Sequence, residues 1–152
     1  MSKVITETLI AITDFLSRQF PDCEVRRTYM PNITIDKLPT GGNPRIIVSL
    51  YDRDINKPNR SEEYENIVTV DIMIVKKVKG NTEQEIDPLV DIVGEVFEMF
   101  CQTQTIAYNE RTYRFAAIEH GDYREVCFED YLNHGLFFGA MQLTVKTNRM
   151  RN

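Results

Sequence analysis

The chain has 152 residues, 42% of them hydrophobic, with a net charge of −5 and a pI near 5.1. That length and composition predict one domain, residues 1–152, built around one core and without a linker. The acidic balance argues against a protein that grips nucleic acid with its whole surface, because such binding rests on Lys and Arg meeting phosphates. It leaves room for DNA passing nearby.

The opening stretch MSKVITETLIAITDFLSRQF carries polar residues every few positions and has no small-residue cleavage site, so a signal peptide is not expected. No window approaches the roughly 18 consecutive apolar residues of a membrane span. The expectation is a soluble protein of the cytoplasm with no membrane partner. Cys23, Cys101 and Cys127 are odd in number and far apart, which in that compartment predicts buried thiols.

Within the same stretch Ile5, Leu9, Ile12 and Leu16 recur at intervals of four and three, the period of a helix with one apolar stripe. Ser2 is placed to cap it and Pro21 to stop it. Strand-like runs follow at CEVRRTYM (23–30) and PRIIVSLYD (44–52), separated by NITIDKLPTGG, whose Pro39, Gly41 and Gly42 mark an irregular connection. Residues 52–65, DRDINKPNRSEEYE, are dominated by charged and amide side chains and predict a long polar hairpin arm.

The next strand, YENIVTVDIMIVKK (64–77), poses the sharpest question in the chain. Alternation puts Val68, Val70, Ile72 and Ile74 on one face, and Ile67, Thr69, Asp71, Met73 and Val75 on the other. The second set is too apolar to face water alone. Asp71 sits in its middle, where an unpaired buried carboxylate would cost several kcal/mol, so it must have a cation or an edge position. Arg45 on the preceding strand is the candidate within the chain; a basic residue of a neighbouring subunit is the other. The face itself has two candidate covers, a second copy of the chain or residues 135–147 folded back over it.

A second helix is predicted from Asp87 as cap and Pro88 as first helical residue, with Leu89, Val93, Val96, Phe97 and Phe100 at helical spacing. After it, QTIAY and RTYRFAAIE flank a turn at Asn109-Glu110, and GLFFGAMQLTVKT (135–147) sets Phe137, Met141, Leu143 and Val145 on one side. A short strand near Val126–Phe128 is drawn within an otherwise loop-like stretch. The fold class is α+β: a mostly antiparallel sheet with two helices packed on one face, in the order α-β-β-β-α-β-β.

No motif for chemistry emerges, and no catalytic, cofactor-binding or metal-ligating residue is assigned. His120 and His134 stand beside glycines at turns, without a partner at metal-ligand spacing. No Gly-rich phosphate loop is present. Glu119, Asp122, Glu125, Glu129 and Asp130 could hold a hard cation, but a charged run of this kind ordinarily makes a solvated face. Lys146, Arg149 and Arg151 read as a frayed basic tail.

By element order and length, the whole chain resembles the tail-terminator (tail-completion) and minor tail proteins of long-tailed bacteriophages. The helix TETLIAITDFLSRQFPD, the run PRIIVSLYDRD leading into a polar arm, EYENIVTVDIMIVKK, the helix DPLVDIVGEVFEMF and the closing strand GLFFGAMQLTVKT carry that resemblance. It implies a non-enzymatic structural protein without cofactors, found in the neck region of the virion tail and in the host cytoplasm during assembly. Its subunits would form a ring, commonly of six, that ends tube polymerisation. Its partners would be copies of itself, the tail tube protein and a head-completion or connector protein, with DNA sliding through the channel unbound. An interface built from Arg53, Asp54, Lys57, Arg60, Tyr64, Ile67, Asp71, Met73 and Val75 is expected on this reading. Another neck or connector adaptor is the alternative, and a small metal-dependent hydrolase using the 119–130 carboxylates with His120 is the third.

Overall fold

The computed structural model describes residues 4–29, 38, 42–56, 63–80, 82–118 and 135–150. Along the chain come α1 (Val4–Gln19), β1 (Glu24–Thr28), β2 (Arg45–Asn56), β3 (Glu63–Lys77), α2 (Glu83–Gln102), β4 (Thr105–Tyr108), β5 (Arg111–Ile118) and β6 (Leu136–Met150). The class is α+β as expected, with three strands after the second helix among the described residues.

One sheet holds all six strands in the order β1-β2-β3-β6-β5-β4. Among the described residues only β1 runs parallel to its neighbour; the remaining pairings are antiparallel. Residues directly opposite one another in a sheet share a face, so the register defines two faces. Ile46, Val48, Val68, Val70, Ile72, Ile74, Met141, Leu143 and Val145 lie on the first and are at most 1% exposed. Both helices lie on this face. α1 touches β1, β2, β3 and also β4, strands from both ends of the sheet order, while α2 covers β5 and β6. The sheet therefore curls around α1.

That curl explains why α1 buries more than the sequence stripe. Leu9, Ile12 and Leu16 are fully buried as expected, and Val4, Thr8 and Ala11 join them, while Ile5 is only half-buried. Two adjacent residues of α1 fasten the two ends of the sheet. The Thr6 hydroxyl lies 3.2 Å from that of Tyr29, just past β1, and Glu7 accepts a 2.7 Å bond from Arg111, at the start of β5. Between α1 and α2, Phe15, Phe100 and Phe115 form a ring cluster, with Phe100 edge-on to Phe115 at 4.9 Å.

α2 begins one turn before the expected Asp87 cap. Thr82 occupies the cap position in extended geometry without a side-chain cap bond, and Pro88 lies inside the helix. The added turn is tied down from outside: Glu85 accepts backbone N–H bonds from Lys79 at 2.7 Å and Gly80 at 3.3 Å. The turn between β4 and β5 falls where expected. Asn109 and Glu110 both have positive φ, 51° and 65°, the left-handed pair that a two-residue hairpin with the right twist requires. Gly135 is also left-handed, at φ 77°, and its carbonyl takes the Val78 N–H at 2.9 Å.

Several other expectations change. Cys101 is exposed and Cys23 half-buried, because α2 turns Phe100 and Val96 inward and leaves Cys101 on its outer side. Lys146 and Arg149 do not belong to a frayed tail; they stand opposite Ile67 and Tyr64 in the β3–β6 ladder. Ser2, Cys127, Arg151, the strand drawn at Val126–Phe128 and the 119–130 carboxylates with His120 and His134 lie outside the described residues.

Candidate functional site

The second face of the sheet and the hairpin that grows from it are the candidate site. Register places Arg45, Ile47 and Ser49 of β2 beside Val75, Met73 and Asp71 of β3, and these beside Phe138, Ala140 and Gln142 of β6. Further along stand Thr69 with Thr144, and Ile67 with Lys146. The face is thus divided along its length. Its first half is apolar, its second polar.

The apolar half is closed by the chain itself. Ile47, Met73, Val75 and Leu136 form a cluster with Leu38, packed on by Phe138 and Ala140; Met73 is 6% exposed and Val75 fully buried. Met73 and Val75 are therefore not surface left for another subunit. Neither expected cover is the actual one. Residues 136–150 do not fold back over this face but extend the sheet in its own plane as β6. Leu38, from the connection between β1 and β2, is the lid. Leu38 is one of three aliphatic residues in NITIDKLPTGG, with Ile33 and Ile35, and that apolar content was the signal for it.

Asp71 is half-buried in the polar half, opposite Ser49 and Gln142. Its expected partner Arg45 lies opposite Val75 instead and donates from Nε to Glu24 Oε2 at 2.9 Å. Glu24 also holds Arg26, and that bond, followed by the Arg45 contacts, keeps its carboxyl below the usual range. Ile67 and Thr69 are half-buried on the same face.

The expected arm is a true hairpin ladder. β2 and β3 stay paired out to Asn56–Glu65, and β3 and β6 out to Glu63–Met150, whereas the β1–β2 ladder stops at Thr28–Ser49. Arg53 and Asp54 pair with Val68 and Ile67, and Tyr64 with Arg149. Lys57 and Arg60, towards the tip, lie outside the described residues. A bulge between Leu50 and Asp52 leaves Tyr51 without a partner on β3 and 61% exposed. Such bulges bend a strand and re-aim a side chain. Tyr51 was missed from the sequence, where it simply continues the second-face series of Ile47 and Ser49 and nothing marks the bulge.

On the helix face, a polar row marks the same end of the molecule. Asn66 of β3 pairs with Thr147 of β6, both buried, and Thr147 donates to the Thr112 carbonyl at 3.1 Å. Tyr113 lies beside them, fully buried, and its hydroxyl has no hydrogen-bond partner among the described residues. Burial pushes this phenol up, with Arg111 pulling the other way. Such a group is a neutral core residue, not an activated acid or base. The Cys23 thiol is likewise raised, by burial first and then by the charges of Asp22 and Glu95, which disfavours a thiolate nucleophile.

Among the described residues no three His, Cys, Asp or Glu side chains come together as a metal site, and no helix is long and apolar enough to cross a membrane. No family model and no curated protein matches the chain.

Proposed function

We propose that this protein is a structural subunit of a closed ring, and specifically a tail terminator at the head-proximal end of a bacteriophage tail tube. In that role it would stop tube polymerisation and offer the surface on which a head-completion or connector protein docks. The observation that carries the reading is the three-stranded extension β2–β3–β6, which runs on to Asn56, Glu63 and Met150 after β1 has ended. An extended, polar hairpin arm suits a clasp between neighbours, because its described backbone, 52–56 and 63–65, is already held in the ladder and less ordering is needed on contact.

The polar half of the second face adds to this support. Ile67, Thr69 and Asp71 are half-buried and mixed in character, as subunit surfaces are. A contact of the head-to-tail kind that closes on itself gives a ring. The net charge of −5 suits a channel through which DNA slides, since a negative wall repels phosphate and keeps it from adhering.

The test is electron microscopy of negatively stained protein, alone and mixed with assembled phage tail tubes. Rings seated on tube ends are the expected result. Tubes that keep uncapped ends at micromolar concentrations of the protein would overturn the reading.

A further inference from the structure

We infer that neighbouring subunits stack their β2–β3–β6 arms face on face, the arginine-bearing face of one arm (Arg53, Tyr64, Arg149) upon the carboxylate-bearing face of the next (Asp52, Asp54, Glu63, Glu65). The contact rests on the ring reading and names the two surfaces that would join its subunits.

Register sorts the arm by charge. Residues opposite one another in a ladder share a face, and neighbours along a strand alternate between faces. Arg53 is opposite Val68 and Ile55 opposite Asn66, while Asn66 and Tyr64 stand opposite Thr147 and Arg149, so these positions continue the helix-covered face. Asp52, Asp54 and Asn56 are opposite Thr69, Ile67 and Glu65, while Ile67, Glu65 and Glu63 stand opposite Lys146, Asn148 and Met150; these continue the second face. Within residues 52–56, 63–67 and 146–150 the first set holds two arginines and no carboxylate, and the second holds four carboxylates and one lysine.

A hairpin that serves only itself gains by setting opposite charges directly across the ladder on one face. Among the described residues of this arm, no directly opposed pair joins opposite charges. The attraction is available instead between the unlike faces of two arms, where complementary charge also fixes orientation. Those faces lie on opposite sides of a sheet one layer thick. A two-fold axis that laid unlike faces together would need the second arm on both sides of the first at once, which is impossible. A two-fold pair of arms would therefore have to set arginine on arginine or carboxylate on carboxylate. Stacking runs head to tail instead and leaves an unlike face open at each end until the ends meet, as they do in a ring.

The experiment measures assembly mass by light scattering and sedimentation, for the protein alone and on tube ends, with thermal melting as a check on folding. The wild type should form species larger than two subunits. Arg53→Glu with Arg149→Glu makes both arm faces acidic; Asp54→Lys with Glu63→Lys and Glu65→Lys makes both basic. Each variant alone should associate about tenfold or more weakly at low salt, as like charges come to face each other. An equimolar mixture of the two should recover much of the loss, because acidic faces then meet basic ones, and all these effects should fade as salt rises. Should a reversal unfold the chain, Glu63→Gln with Glu65→Gln takes its place, with a several-fold weakening expected. A wild type that stops at two subunits, variants that assemble as it does, or a mixture no better than its parts would overturn the stacking; rings on tube ends would then leave the ring reading standing. Open filaments of stacked subunits would keep the contact and remove the ring. A wild-type protein that neither associates nor caps tubes would remove both.

Discussion

The two halves of the second sheet face carry similar alternating sequence yet end differently. Around Met73 and Val75 the side chains are shut in by Leu38, Ile47 and Leu136; around Ile67, Thr69 and Asp71 they remain half-buried, beside Ser49, Gln142 and Thr144. The difference lies in the neighbours across the ladder. Where β2 and β6 contribute Ile47, Phe138 and Ala140, Leu38 completes an apolar cluster among the described residues. Where they contribute Ser49, Gln142 and Thr144, no lid of that kind could repay the burial of so many polar groups. Apolar residues on a second face thus do not by themselves call for a second subunit. The polar half and the arm, not Met73 and Val75, are what remain for one.

The contrast can be broken most forcefully at Val75. A carboxylate placed there by Val75→Asp would lie in a closed apolar cluster and should cost on the order of 4 kcal/mol, read as a large fall in the urea midpoint. A variant as stable as the wild type would show that this half is open. Leu38→Ala should cost about 2–3 kcal/mol through loss of the lid, independently of protein concentration. An effect seen only when subunits associate would assign the lid to a neighbour instead.

Ile67→Ala belongs to the other half and should change the stability of the single subunit by roughly 1 kcal/mol or less while weakening association. Tyr113 offers a pH test on the helix face. Its phenol is raised in the fold, so its contribution is complete below the ordinary tyrosine value near ~10 and is lost as pH climbs through the folded value. Tyr113→Phe should therefore flatten the fall in stability at alkaline pH. A wild-type alkaline limb unchanged by the substitution would assign that fall to other groups.

The smallest effect is expected at Glu24. Its carboxyl is lowered, so its stabilising share is present above the unfolded carboxylate value and disappears as pH falls through the folded one. The side chain is 44% exposed and solvent screens the pairs with Arg26 and Arg45, so Glu24→Gln should cost less than about 1 kcal/mol. A larger loss in acid melting curves would mean that β1 is held to β2 chiefly through this residue.

Much of the architecture was legible because period and punctuation agreed. Leu9, Ile12 and Leu16 marked α1, the odd-numbered Phe137, Met141, Leu143 and Val145 marked the inner face of β6, and Asn109-Glu110 marked the turn. Asp87-Pro88 misled, because local capping chemistry was overridden by Glu85 binding the backbone of Lys79 and Gly80 from one turn earlier. The partner of Arg45 was misread for a related reason. Adjacent strands were foreseen, but register was not, and β1 pairing parallel to β2 brought Glu24 to Arg45 in place of Asp71. The arm was visible as a polar stretch between two strands; that it is ladder out to Asn56 and Glu63 was not. Polar hairpins lack the one-sided apolar pattern that fixes strand register.

Backbone hydrogen exchange, compared between dispersed subunits and rings on tube ends, tests the central claim most directly. On assembly, amides of residues 52–56 and 63–71 should gain protection, while those of Met73 and Val75, closed already within one chain, should stay as they were. New protection confined to 73–75, or none along the arm, would contradict the account.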